Sequence, residues 1–168
     1  MTISLRKFDK RDIPAKVRWI NDPRNNRFLH YDLPLEEDKT AVWYERIKDL
    51  TDRYDAVIEV DGVAVGLIGL LSIDRKNKKA EFYVSMGETA YKGRGVATEA
   101  SRQLIDYAFS ELHLNKIYLY TEVKNVAAQR LVEKIGFAKE GCVVQDLYSK
   151  GSFVDRFIYG LLKDNWRK

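Results

Sequence analysis

The stretch from Phe82 to Glu99 constrains the fold more than any other part of the chain. Phe82-Tyr83-Val84-Ser85 reads as the end of a strand. A short loop follows, and after Gly93 the apolar period changes from two residues to about 3.6. Ala97, Ala100, Leu104, Ala108 and Leu112 then share one face of a long helix. A strand that passes through Gly93 and Gly95 into a helix brings its backbone close to whatever lies above it, and the N–H groups of the first helical turn have no partner within the helix. Phosphate oxygens are the natural acceptors at such a place. The spacing is neither Gly-x-x-x-x-Gly-Lys-Ser/Thr nor Gly-x-Gly-x-x-Gly, so neither a nucleoside triphosphate nor NAD is indicated. Two glycines alone are equally compatible with a tight strand-to-helix turn and nothing more.

The remaining pattern surrounds this segment with alternating elements. Thr2 to Phe8 alternates apolar and polar residues as a strand does. A helix capped by Asp12, with Pro14 in its first turn and Ile13, Val17 and Ile20 at helical spacing, runs to Asn21-Asp22-Pro23. Pro34 and the acids Glu36, Glu37 and Asp38 open a second helix whose apolar face is Trp43, Ile47 and Leu50. Strands follow at Tyr54 to Val60, Val63 to Ile73 and Lys79 to Ser85, the first two joined by Asp61-Gly62, a strong hairpin signal. Lys116 to Thr121 reads as a strand and Val126 to Lys134 as a helix ended by Gly136. Phe137 to Leu147 and Ser152 to Leu162 form a terminal pair around Lys150-Gly151. Strands and helices alternate only in the second half, so a mixed sheet in an α/β domain is expected ahead of a fully parallel doubly wound one.

At 168 residues with 45% hydrophobic residues, the chain suits one packed domain. Its one cysteine, Cys142, excludes an internal disulfide framework and a zinc site built from cysteine pairs, and a buried structural thiol is its expected role. The longest apolar run, Val63 to Leu71, is far short of the ~20 residues that span a bilayer, and the N-terminus lacks a signal-peptide pattern. A cytoplasmic protein with no membrane partner is the expectation. The net charge of +4 is mixed along the chain, and its densest basic run, Asp74 to Lys79, falls in a hairpin turn. That mild bias suits a phosphorylated small ligand as well as RNA, but the basic run reads as a solvated loop ahead of a nucleic-acid patch, and no nucleic-acid partner is expected.

Two segments together carry a resemblance. Lys92-Gly93-Arg94-Gly95-Val96-Ala97 resembles the Gln/Arg-x-x-Gly-x-Gly/Ala pyrophosphate loop of the GNAT superfamily of acyl-CoA-dependent N-acyltransferases. Asn125, Ala128, Leu131, Glu133, Lys134, Gly136 and Phe137 are similar to that superfamily's Asn-x-x-Ala-x-x-Leu-Tyr-Glu-Lys-x-Gly-Phe signature. The order of elements resembles the GNAT fold along nearly the whole chain. Trp19-Ile20-Asn21-Asp22-Pro23 and Ala80-Glu81 resemble the branch that holds ribosomal-protein N-terminal, spermidine and amino-sugar-nucleotide acetyltransferases.

The resemblance implies a single domain over residues 1–168, of α/β class, with a mixed, mostly antiparallel central sheet and helices on both faces. It implies acetyl-CoA as co-substrate, its pyrophosphate held by the amides of Gly93, Arg94, Gly95, Val96 and Ala97, with the Thr98 hydroxyl beside them. Val84, Ser85 and Met86 would pair with the pantetheine arm as a strand pairs with a sheet edge. Asn125 and Arg130 would lie near the same arm or the adenosine phosphates. Two positions depart from the pattern. Lys92 replaces the usual Gln or Arg, which keeps a donor and loses the bidentate fork. Val132 stands where many members carry the tyrosine that protonates the departing thiolate. The implied activity is N-acetylation of a small primary amine. An amino-sugar nucleotide is the expected acceptor class, a polyamine or a protein N-terminus the alternative, and a non-catalytic acyl-CoA-binding module the alternative of another class. A homodimer is left open.

An alkylammonium is mostly protonated at neutral pH, so transfer to it needs a base. Strand alternation puts Glu81, Tyr83 and Ser85 on one face and Tyr118, Tyr120 and Glu122 on one face of the next strand. If these faces meet, Glu81 is the first candidate base and Glu122 the second, with Tyr118 or Tyr120 as proton donor. Ordinary half-buried sheet positions account for each of these residues taken singly. His30 and Tyr31, in the loop between the first two helices, and Tyr83 are expected to line the acceptor pocket. His113 is expected to close the long helix. The two histidines form no ligand spacing, and no metal is expected.

Overall fold

Seven strands form one sheet in the computed structural model, which describes residues 1–166. In chain order they are β1 (Ile3–Lys7), β2 (Tyr54–Val60), β3 (Val63–Asp74), β4 (Lys79–Met86), β5 (Lys116–Glu122), β6 (Ala138–Ser149) and β7 (Ser152–Leu162). The helices are α1 (Ile13–Asn21), α2 (Glu37–Ile47), α3 (Val96–Ser110) and α4 (Val126–Ile135). The sheet order is β1-β2-β3-β4-β5-β7-β6. Every neighbouring pair is antiparallel except β4 and β5. This is the mixed, mostly antiparallel α/β architecture expected, and the doubly wound alternative is excluded by the topology.

Local chemistry explains the hairpins. Asp61 and Gly62 have φ of +50° and +82°, and Lys150 and Gly151 have +51° and +87°. Two successive left-handed residues make the turn whose twist matches that of the flanking strands. Alternation along β2 then sends its side chains to two separate cores. Ala56, Ile58 and Val60 join Ala100, Leu104, Ile105 and Ala108 of α3 on one face. Val57 meets Phe8, Ile13 and Trp19 on the other, with Trp43 and Tyr44 of α2 packed against them. Helices therefore cover both faces, and burial of each large aliphatic side chain contributes about 1.5–3 kcal/mol.

Several expectations change in detail. Asp12 precedes α1 but makes no side-chain cap to it. Its carboxylate instead accepts from Arg6 Nη1 at 2.8 Å, Arg6 Nη2 at 2.9 Å and the Asp9 N–H at 2.9 Å. A guanidinium fork offers a carboxylate more than one backbone amide does. Leu50 lies beyond the end of α2 and is exposed, and Pro34 precedes the helix by three residues rather than opening it. α3 ends at Ser110, so Leu112 packs against the core from the following turn, where His113 takes φ of +55°. Cys142 is in β6 as expected, but β6 is the edge strand and its thiol is exposed, not buried. Among the described residues no helix is long and apolar enough to cross a membrane.

The Asp12 pair yields a stability prediction. Burial pushes the Asp12 carboxyl up, but the bonds from Arg6 and Asp9 outweigh it and leave it below its ordinary value. A depressed folded value means that the stabilisation is full above the unfolded carboxyl range, near ~3.9, and is lost as pH falls through the folded value. Asp12→Asn is expected to cost about 1 kcal/mol at pH 7 in urea unfolding, because Arg6 loses the charge of its two-point partner and keeps the bond from its Nε to Glu59 at 3.0 Å. The deficit should shrink in acid. A deficit that stays constant down to the acid transition contradicts this assignment.

Candidate active site

The loop into α3 is built to offer backbone donors. Gly93 and Gly95 have φ of +74° and +79°, and a Cβ placed on either would meet nothing within 4 Å. These glycines therefore serve backbone conformation and an open approach, not close packing. The first helical bond runs from Glu99 N–H to Gly95 C=O at 3.1 Å. Ahead of it, the N–H groups from residue 93 to residue 98 find no backbone acceptor among the described residues. Arg94 stacks its guanidinium 5.4 Å from the Tyr91 ring, and Thr98 is buried in the first turn. Lys92 turns away from this cluster and donates to Asn25 Oδ1 and to the Arg24 carbonyl at 3.3 Å.

The second component is a parting of strands. β4 and β5 are paired only through Lys79–Lys116, Ala80–Ile117 and Glu81–Tyr118. Beyond Glu81, β4 stays paired with β3 on one side, as far as Met86–Gly66, while its other edge opens. The backbone of Val84 to Met86 is thus free on one side to accept an extended ligand as an added strand. A cavity of about 270 Å³ occupies the gap, lined among others by Glu81, Tyr120, Glu122, Asn125, Val132 and Arg156. The hydroxyl of Thr121, another wall residue, is buried and has no hydrogen-bond partner among the described residues. An open strand edge leading toward a row of free amides fits a long ligand with a diphosphate at one end.

Several of the expected side chains meet in this cavity, and two of them pair there across the fold. Glu81, Tyr120, Glu122 and His30 all line it. His30 Nε2 lies 2.8 Å from Glu122 Oε2, a contact between residues 92 apart in sequence. Glu122 is thereby committed to His30, whereas Glu81 has no hydrogen bond to a side chain among the described residues. Burial pushes the Glu81 carboxyl above its usual value, and Arg156 partly offsets this. Tyr118 stands opposite Glu81 in the strand register but outside the lining of the first cavity, and packs edge-on against Tyr120, with ring centroids 6.1 Å apart. Arg156 stacks 4.6 Å from the Tyr120 ring and is held by Asp146. On the α4 side Val132 presents no proton donor. Asn125 caps α4 through the Ala128 N–H at 3.2 Å, and Arg130 is exposed on that helix outside the cavity wall.

Tyr83 divides this cavity from a second one of about 290 Å³, whose walls include Lys16, Tyr31, Trp43, Arg53, Asp55 and Ser85. The Tyr83 hydroxyl donates to Asp55 Oδ1 at 2.6 Å. Burial, then the neighbouring Asp55 charge, hold this phenol protonated well above its ordinary range. Tyr83 is thus a fixed donor within the partition.

The Trp19 to Pro23 segment shapes the end of β4. The Trp19 indole donates to Glu88, and its ring lies where a Cβ on Gly87 would stand, with the nearest ring atom 2.2 Å from that position. Asn25 donates to the Trp19 and Gly87 carbonyls, at 3.0 and 2.9 Å. Asn21 holds both the N–H and C=O of Leu35. This segment therefore ties the loop carrying His30 and Tyr31 to the strand that leads into α3.

Comparison with known proteins agrees with this geometry. Residues 2–138 match the Acetyltransferase (GNAT) domain family. YdaF of Bacillus subtilis (strain 168), named provisionally a ribosomal N-acetyltransferase, is 36% identical over 124 residues, covering 74% of this chain and 67% of that protein. The spermidine N(1)-acetyltransferase of Vibrio cholerae serotype O1 is 28% identical over 91% of this chain and 88% of its own. A crystal structure of spermidine N-acetyltransferase from Vibrio cholerae with CoA and spermine superposes with a TM-score of 0.89 at 25% identity, covering 97% of this chain and 96% of that one. A dodecameric structure of that enzyme is also similar. The chain belongs to the GNAT acetyltransferase family and is an acetyl-CoA-dependent N-acetyltransferase.

Proposed function

We propose that the chain acetylates the primary amine of a small molecule, with Glu81 removing the amine proton directly or through a water. The observation that carries this reading is the parting of β4 and β5 immediately after the Glu81–Tyr118 pair, which sets a half-buried carboxylate at the head of the cavity. Acetyl-CoA supplies the activated acyl carbon. The amides from Gly93 to Ala97 hold its diphosphate, Val84, Ser85 and Met86 pair with its extended arm, and Asn125 borders that arm from α4. Lys92 acts indirectly, by fixing the loop at Asn25. The His30–Glu122 pair forms the wall facing Glu81 and orients the incoming amine. Of the acceptor classes expected from sequence, the relatives favour a polyamine over an amino-sugar nucleotide. The dodecameric structure of the Vibrio cholerae enzyme also favours assembly into a homo-oligomer.

Tyr120 takes the proton-donor role that Val132 does not fill, because its ring lines the cavity and that of Tyr118 does not. Tyr120→Phe is expected to lower kcat about tenfold or more, and Tyr118→Phe to leave it within about twofold. Equal effects of the two substitutions contradict the assignment. The reading as a whole is tested by thiol release from acetyl-CoA with a panel of spermidine, amino sugars and short peptides. Turnover with at least one amine is expected. Firm acetyl-CoA binding with no turnover across the panel would identify a binding module instead.

A further inference from the structure

The second cavity contains a buried cation with no carboxylate of its own. Lys16 of α1 is 7% exposed, and among the described residues its ammonium makes no hydrogen bond or ion pair. Its neighbours are ring faces: Nζ lies 3.5 Å from the Trp43 centroid and 5.7 Å from those of Tyr31 and Phe8. Asp55 lies in the same wall, but both its oxygens are engaged. Arg53 Nε donates to one at 2.7 Å, and Arg53 Nη2 and the Tyr83 hydroxyl donate to the other at 2.9 and 2.6 Å. The wall thus sets two cations against one carboxylate. Arg53 spends only part of its donor fork on Asp55, and Lys16 spends none of its three donors.

Burying an ammonium without a counter-ion is costly, and cation–π contacts return only part of that cost. The penalty is visible in Lys16 itself, whose ammonium burial pulls down to about 8. A methionine would fill the same space on Trp43 without it, so folding gives no reason for a lysine here. We infer that the second cavity receives an anionic group of the acceptor, a carboxylate or a phosphate bound between Lys16 and Arg53, while the acceptor's amine reaches past Tyr83 toward Glu81.

This inference rests on the acetyl-transfer reading and departs from the polyamine preference that the relatives suggest. The relatives point toward a polyamine, but a second ammonium placed here would face Lys16 and Arg53, with Asp55, the one carboxylate among the described wall residues, already paired with Arg53. Lys39, in the neighbouring cleft beside Lys16 and Trp43, is a further cation, paired with Glu36 at 2.8 Å. The wall is therefore selective against polycations and for amines that carry an anion.

The test uses amines of matched length: 5-aminopentanoate, pentylamine and 1,5-diaminopentane, with phosphoethanolamine against ethanolamine as the phosphate arm. The aminopentanoate is expected to exceed the diamine in kcat/KM by about tenfold or more. Lys16→Met should lower the anionic amine roughly thirtyfold, mainly through KM, and leave the diamine unchanged or better. Tm should hold or rise in this variant, whereas a structural lysine would lower it. The relative size of the carboxylate and phosphate effects tells which anion the wall suits. A diamine or spermidine used as well as the anionic amines, or an order unchanged by Lys16→Met, overturns the inference. Calorimetric titration of the CoA complex with phosphoethanolamine provides an arm independent of turnover. The same titration is run with 5-aminopentanoate: heat with either ligand that vanishes in Lys16→Met supports the anion site even if acetyl transfer fails, and no heat with both ligands in the native protein refutes it even if transfer succeeds.

Discussion

Gly95→Trp should abolish acetyl-CoA binding while the protein stays folded, weakening affinity by more than about a hundredfold, or roughly 2.7 kcal/mol. Two effects separate cleanly at this residue. A Cβ at φ of +79° is strained by about 1–2 kcal/mol, but it points into open space and displaces nothing. The indole would instead cover the free amides at the head of α3, which is where a diphosphate has to approach. Gly62→Trp is the control. Gly62 has φ of +82° and equally open surroundings, but it lies in the β2–β3 turn. It should lose comparable stability in urea unfolding and keep its affinity. Matching affinity losses in both variants would mean that strain, not position, governs binding.

Glu81→Gln should have the largest effect on turnover. General-base catalysis contributes about 10² to 10⁴ in rate, so a loss of about a hundredfold in kcat at pH 7 is expected, with acetyl-CoA affinity intact. The sign with pH follows from the environment. Burial raises the Glu81 carboxyl, so the native rate should climb with pH through that raised value as the base is released. In the variant this limb disappears. Its rate should continue to rise toward the amine's own range near ~10, where free amine no longer needs a base. Glu122→Gln breaks the bond to His30 and should act mainly through KM for the amine. A Glu81→Gln profile that parallels the native one would remove Glu81 as base and leave Glu122 with His30 in its place.

Short-range chemistry carried most of the fold into the sequence. Asp61-Gly62 and Lys150-Gly151 specify their turns through backbone conformations few other pairs adopt, and Ala100, Leu104 and Ala108 mark the buried face of α3 by spacing alone. The surroundings of Asp12 and Cys142 are set by strand placement, which local sequence pattern does not carry. Arg6 across the β1 edge outcompeted a local cap, and the position of β6 at the rim of the sheet exposed the thiol. The amides of the α3 loop were legible because glycine reports on its own backbone. The His30–Glu122 contact and the Arg53–Asp55–Tyr83 cluster were not, since each joins segments that only the sheet brings together. One signal was available. Lys16 falls between Ile13 and Ile20 at helical spacing, a charge on the apolar stripe of α1.

The account stands on a diphosphate seated against the free amides from Gly93 to Thr98, and calorimetry with three ligands addresses that seat directly. Acetyl-CoA should bind one per chain with micromolar affinity. S-acetyl-pantetheine, which has the same arm and acyl group but neither diphosphate nor adenosine, should bind about a hundredfold more weakly or not at all, and restoring one phosphate, in S-acetyl-4′-phosphopantetheine, should recover a large part of that loss. Equal affinity for acetyl-CoA and S-acetyl-pantetheine would contradict the account.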